Sequence, residues 1–247
     1  MGKWFNLDSP LIQGMNKVAD LMWLNILVLI CSLPVFTIGA SLTAAHYVAL
    51  KMHRNEEGYI TRDFFRAFKS NFKQSTLMWL LFMLVMLVLG CDYYLIKNNT
   101  IEVPYIIKVF IIAATFVFSF MLMWVFPMQA KFENKISRTI KNAFAVGMMK
   151  FPRSILMLIV YALPWFIVWL TLSILPLFLV FGISIPIYIS TMLYNKFFKK
   201  LEDNILERTD EVQDYAEEQD DVEKIFSDEP LIKMEEDYHS EKNRKSK

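Results

Sequence analysis

The sequence predicts an all-α fold: a polytopic transmembrane helical bundle of five to six spans, with cytoplasmic amphipathic helices and an acidic C-terminal tail. Three observations lead there. Of the 247 residues, 55% are hydrophobic and the mean hydropathy is +0.34, richer in apolar residues than ordinary soluble domains. The apolar residues fall in long uncharged blocks rather than at amphipathic intervals, the mark of membrane spans. The net charge of +1 conceals two unlike parts: residues 1–200 carry 19 Lys/Arg against 8 Asp/Glu, and residues 201–247 carry 7 against 17.

Asp8-Ser9-Pro10 is a helix start, a capping side chain followed by a proline whose missing N–H costs nothing. The first span is predicted over 11–33. Pro34 interrupts an uncharged interval from Leu21 to Leu50, which as one helix would be about 45 Å long, too long for an upright crossing of a ~30 Å hydrocarbon core. A turn at Leu33–Ile38 and a short return over 40–52 is preferred, and a single broken span is the alternative. The return opens with Gly39–Ala45, GASLTAA, whose small residues allow close helix approach. Clearer spans follow at 77–96, 105–126, 155–175 and 177–194, the last two joined at Pro176. Cys31 and Cys91 lie inside apolar runs and read as packing residues, not as a disulfide. The first apolar run lacks the short basic leader of a signal peptide.

Between the second and third runs lies a charged stretch, predicted as a helix over 60–74. On a 3.6-residue period, Ile60, Phe64, Phe65, Phe68 and Phe72 share one face, and Arg62, Arg66, Lys69 and Lys73 share the opposite one. An aromatic face backed by a cationic one suits a helix in the headgroup zone, contacting lipid or a partner. Segment 51–75 holds six basic residues and 128–153 another six, whereas 97–104 has only Lys97 and Glu102. The positive-inside rule therefore places both basic segments and the C-terminus in the cytoplasm. An N-inside chain then needs six crossings, and an N-outside chain five.

Ile60-Thr61-Arg62 and Ala67-Phe68 recur as Ile136-Ser137-Arg138 and Ala143-Phe144, an offset of 76 residues. The same offset carries 40–52 onto 116–128 and predicts a second amphipathic helix over 136–150. A duplicated unit of this kind favours six spans with the N-terminus inside. After Lys196 the composition changes. A helix is predicted to continue the last span through Phe197–Leu206; between Leu201 and Glu241 there are 17 acidic and 3 basic residues, and disorder is the default expectation for the tail over 201–247.

No phosphate-cradling Gly motif occurs, and His46, His53 and His239 are scattered without metal-ligand spacing. The expectation is of no enzyme, no catalytic residues, no metal and no cofactor. Nucleic acid is not an expected partner, since topology accounts for the basic residues. The intramembrane polar candidates are Asn25, His46, Asp92 and Lys108. Asn25 reads as a helix–helix hydrogen-bonding residue and His46 as a satisfied packing residue. Asp92 and Lys108 could pair near the outer side, but snorkelling to interfacial water is preferred.

Gly39-Ala40-Ser41, Thr43-Ala44, Tyr47-Val48, Lys51, Arg54, Glu56-Glu57-Gly58-Tyr59-Ile60 and Phe64–Gln74, with Phe5-Asn6, Asp8-Ser9-Pro10 and Asn16-Lys17 before them, resemble the YesL-like family. These are bacterial integral membrane proteins built on a domain of unknown function, and the resemblance covers roughly residues 1–80. It implies a plasma membrane protein of Gram-positive type. Genes of this family often lie near carbohydrate importers, which implies an accessory role in sugar uptake. The resemblance brings no catalytic or binding residues, and the acidic tail lies outside it. The expected partners are the lipid bilayer and a carbohydrate importer or another membrane protein. A transporter or permease subunit in its own right is the alternative.

Overall fold

In the computed structural model, which describes residues 10–56, 58–98 and 104–226 and the side chains of 12–56, 58–98 and 104–209, every regular element is helical. Helix α1 spans Pro10–Cys31, and a 3-10 turn at Val35–Thr37 leads into α2, Ile38–Arg54. Thr37 Oγ1 fastens that turn by donating to the carbonyls of Cys31 and Pro34, both at 2.6 Å. Helix α3 runs Ile60–Lys97, α4 Tyr105–Lys131, α5 Ile136–Met149 and α6 Phe151–Leu170. A second 3-10 turn, Leu172–Ile174, precedes α7, Leu175–Phe181, and α8 is Ser184–Phe226.

Among the described residues, four helices are long and apolar enough to cross a membrane: Ile12–Cys31, Ile60–Lys97, Tyr105–Lys131 and Phe151–Leu170. The pair Leu172–Phe181 and Ser184–Thr209, bent by 58°, supplies a fifth if it counts as one span. Their apolar side chains point outward. Leu77, Leu80, Leu81, Leu84 and Leu87 on α3, and Ile106, Phe110 and Ile112 on α4, are all exposed. So large an apolar surface would be an aggregation liability in water and is the ordinary exterior of a protein in lipid.

Helix α2 has the opposite character. It is short, about 26 Å at the helical rise, and ten of its residues are buried. It packs chiefly against α3 and α4. Its small residues permit this. A Cβ on Gly39 would sit 2.6 Å from Trp79 Cβ and closer still to the Ser75 carbonyl oxygen. Ser41 Oγ donates to the Val28 carbonyl at 3.1 Å, and Thr43 Oγ1 meets Ser75 Oγ at 2.9 Å. The apolar core is assembled around this helix from Leu24, Leu27 and Val28 of α1, Ala44, Ala45, Val48 and Ala49 of α2, Phe64 and Ala67 of α3, and Ile187 of α8.

Three boundaries differ from the sequence expectation. The helix over 60–74 and the span over 77–96 are one continuous helix, because Gln74-Ser75-Thr76 carries no breaker. Pro176 is not the joint between the last two apolar runs. It lies in the first turn of α7, where a proline suits a helix, and the breaks fall at Thr171, in extended conformation, and at Gly182-Ile183. The helix expected through Phe197–Leu206 is present, but it does not give way to disorder there, since residues 207–226 also belong to α8. Extending an existing helix avoids the cost of nucleation, and Leu, Glu, Lys and Gln are good helix formers. Residues 227–247 of the expected tail lie outside the described residues. By contacts, the chain divides into Met1–Asn195 and Lys196–Lys247.

Candidate functional site

Residues 55–59 connect α2 to the charged start of α3. Asn55 closes α2 in the left-handed conformation, φ 53° and ψ 34°, one that asparagine tolerates. Tyr59 is extended and α3 begins at Ile60. One turn in, Asp63 is buried and its Oδ2 accepts from Lys51 Nζ at 2.7 Å, with Arg66 at 3.9 Å from Oδ1. Gly58 makes room for this pair, because a Cβ there would sit 3.0 Å from Lys51 Nζ and closer still to Asp63 Oδ2. Arg54 Nε donates to Asn195 Oδ1 at 2.8 Å.

The two faces expected of this helix are present, but the aromatic one is divided. Phe64 is fully buried in the core, and Phe68 packs against the same cluster. Phe64, Phe68 and Phe72 form a file of ring contacts with centroids 6.2 and 5.4 Å apart. Phe65 alone of the four is exposed. Most of the expected headgroup-facing surface is therefore occupied by packing against α1 and α2. Arg62, Arg66, Lys69 and Lys73 are exposed on the other face.

Three of those four cations, Arg66, Lys69 and Lys73, line one wall of a cleft of about 1190 Å³. The opposite wall is the end of α4 and the connection to α5, from Gln129 to Lys135, and brings Lys131 and Lys135 with a single carboxylate, Glu133. The walls are pinned by buried Gln129, whose Nε2 donates to Asn71 Oδ1 at 3.0 Å and to Gln74 Oε1 at 2.7 Å. Its Oε1 accepts from Thr139 Oγ1 of α5 at 3.3 Å. Sequence inspection missed this wall. Gln129 sits at the end of an apolar run, and its partners lie 55 and 58 residues away. The repeat at Ile136 and the six basic residues of 128–153 are the signals in the sequence that relate a second segment to the first.

The intramembrane candidates separate. Asn25 clamps the break between α7 and α8: its Nδ2 donates to the Leu179 carbonyl at 2.7 Å, and its Oδ1 accepts from the Ile183 and Ser184 amides at 3.0 and 2.9 Å. One side chain thus satisfies a helix C-terminus and a helix N-terminus inside apolar sequence. His46 is buried, its Nδ1 3.2 Å from Tyr194 Oη and its Nε2 3.2 Å from Tyr161 Oη. Those hydroxyls continue to Thr191 and Ser190 at 3.0 Å each. Asp92 and Lys108 are half-buried, and no ion pair joins them among the described residues. Nor do those residues hold a cluster of three or more His, Cys, Asp or Glu able to bind a metal. Cys31 is half-buried and Cys91 exposed, both as free thiols, so Cys91 is not the packing residue expected.

A family model described as "Protein of unknown function, DUF624" matches residues 21–93. The match takes in the second half of α1, all of α2 and nearly all of α3. It includes the Arg66–Gln74 wall of the cleft and stops short of the Gln129–Lys135 wall. No curated protein and no solved structure gives a significant match.

Proposed function

We propose that this chain is a multi-pass plasma membrane protein with a cytoplasmic C-terminus that works, without catalysis, as an accessory or interaction component associated with carbohydrate uptake. The observation that carries the accessory role is where the polar groups lie. Within the apolar layer, Asn25 and His46 are taken up in hydrogen bonds to backbone and to tyrosines, which favours packing over passage. The large polar opening lies instead at the basic end, between Arg66–Gln74 and Gln129–Lys135. Exposed Arg62, Arg66, Lys69 and Lys73 give that end a cationic surface for anionic lipid or for a partner. The tie to carbohydrate uptake rests on the resemblance of the early residues to the YesL-like family.

The test is photo-crosslinking in cells from positions 62 and 66, followed by identification of what is captured. The expected result is capture of a membrane or ATP-binding component of a carbohydrate importer. A chain that yields no crosslinks under several growth conditions, and extracts without a partner in mild detergent, contradicts the reading.

One observation favours the rival, a permease in its own right: α7 and α8 form a discontinuous helix within apolar sequence, a form that transporters use at substrate sites. Here Asn25 already occupies the exposed helix ends. Substrate flux in proteoliposomes decides between the two, and the accessory reading expects none.

A further inference from the structure

The positive-inside rule explains how many basic residues flank the spans. It does not explain why two segments some 60 residues apart converge on one concave surface. Arg66, Lys69, Lys73, Lys131 and Lys135 line the cleft against Glu133. Among the described residues, no acidic side chain pairs with Lys69, Lys73 or Lys135. Like charges gathered in a concavity beside a low-dielectric body focus a field and raise the local concentration of anions.

The neutral groups are oriented in the same sense. Gln129 donates twice, so Asn71 and Gln74 both turn their amide oxygens inward to it. The amide nitrogens must then face the other way. Asn71 Nδ2 is spent on the Ala67 carbonyl at 3.0 Å and Ser70 Oγ at 3.2 Å, which leaves the Gln74 amide nitrogen for the cleft. The amide oxygens of Asn71, Gln74 and Gln129 are consumed internally, and Gln74 keeps its donor for the opening. A neutral donor beside several cations on two facing walls suits an oxyanion with more than two acceptor oxygens. At about 1190 Å³ the cleft is larger than a bare ion needs and has room for the body that carries it.

We propose that the cleft binds a phosphate ester, with Lys69, Lys73 and Lys135 supplying the charge and Gln74 a neutral donor. The headgroup of an anionic phospholipid and a soluble phosphate monoester share this chemistry. The inference goes beyond the docking role, since it needs no partner protein.

The experiment uses the full-length chain in phosphatidylcholine nanodiscs titrated with glycerol 3-phosphate. In parallel, lipid retained from discs containing phosphatidylglycerol is measured by native mass spectrometry. A triple variant Lys69→Gln/Lys73→Gln/Lys135→Gln alters side chains that are exposed and, among the described residues, make no ion pair. Its control, Arg138→Gln/Lys141→Gln/Lys200→Gln, removes equal charge from exposed residues that do not line the cleft. The cleft variant is expected to weaken binding at least about tenfold, and the control less than about twofold. Saturable binding of glycerol 3-phosphate assigns the site to a soluble ester, and enrichment of phosphatidylglycerol alone assigns it to a headgroup. Absence of both, or equal loss in the control, overturns the proposal and leaves the crosslinking result untouched.

Discussion

The start of α3 and the start of α5 are built alike, and they part at one position. Both helices begin after an extended residue, Tyr59 and Lys135, and both open on isoleucine. The fourth residue of each is polar, buried and tied back to the preceding helix: Asp63 to Lys51 by an ion pair, Thr139 to Gln129 by a neutral hydrogen bond. One turn later Ala67 and Ala143 are buried. The preceding helices correspond as well, with Val48, Ala49 and Leu50 buried where Trp124, Val125 and Phe126 are buried, at the same offset of 76 residues. The two segments then diverge. Thr76 stands where Pro152 stands; α3 continues unbroken to Lys97, whereas α5 ends at Met149 and α6 starts at Phe151 with its proline in the first turn. At the position of this proline, a charged helix is continuous with its span in one segment and set off from it in the other.

The largest effect should come from imposing the second pattern on the first. Thr76→Pro removes a backbone donor and adds a clash in the middle of α3, and should cost about 3 kcal/mol or more. The reverse change, Pro152→Thr, should stay within about 1 kcal/mol, because a first-turn proline forgoes no internal bond. Thermal unfolding in detergent compares the two; equal losses would mean that the proline does not mark the difference.

Next in size are the glycines at the two helix contacts. Gly39→Ala should destabilise by about 1–3 kcal/mol, since its Cβ overlaps the α3 backbone and cannot be relieved by a side-chain movement. Gly147→Ala places a Cβ 3.5 Å from Phe120, an ordinary contact. It should be neutral or stabilise by up to about 1 kcal/mol through helix propensity. The same unfolding measurement reads both, and a matching sign would show that α2–α3 and α4–α5 are packed alike after all.

The smallest difference lies in the two buried tethers. Asp63→Asn leaves Lys51 without its charged partner and should cost about 2 kcal/mol. Thr139→Val loses one long hydrogen bond and should cost about 1 kcal/mol. Added salt should narrow the gap between wild type and Asp63→Asn only slightly, because Asp63 is buried.

Local pattern made much of this architecture legible. Uninterrupted apolar runs located α1, α3, α4 and α6, and the repeated Ile-Thr/Ser-Arg triplet fell on the first residues of α3 and α5. Small residues at Gly39–Ala45 pointed to a tightly packed helix, and α2 is one. What stayed hidden depends on tertiary neighbours. Phe64 and Phe65 are adjacent and of one kind, yet one is core and the other surface, because α1 and α2 cover a single side of the helix. Asn25 was recognisable as polar in an apolar run, but not as the clamp on a helix break some 155 residues later. Half of the cleft was visible in Arg66, Lys69 and Lys73. The other half, from Gln129 to Lys135, carries no periodic signal and gains its meaning only from the segment it faces.

We propose that the two similar segments bring their basic ends together on the cytoplasmic side and build one cleft. The most direct test of this claim is labelling by a membrane-impermeant thiol reagent at Lys69→Cys and Lys135→Cys, each in a Cys31→Ala/Cys91→Ala background. Both positions should be silent in intact cells and both reactive in inside-out vesicles. Labelling of one position and not the other from the same side would contradict the claim.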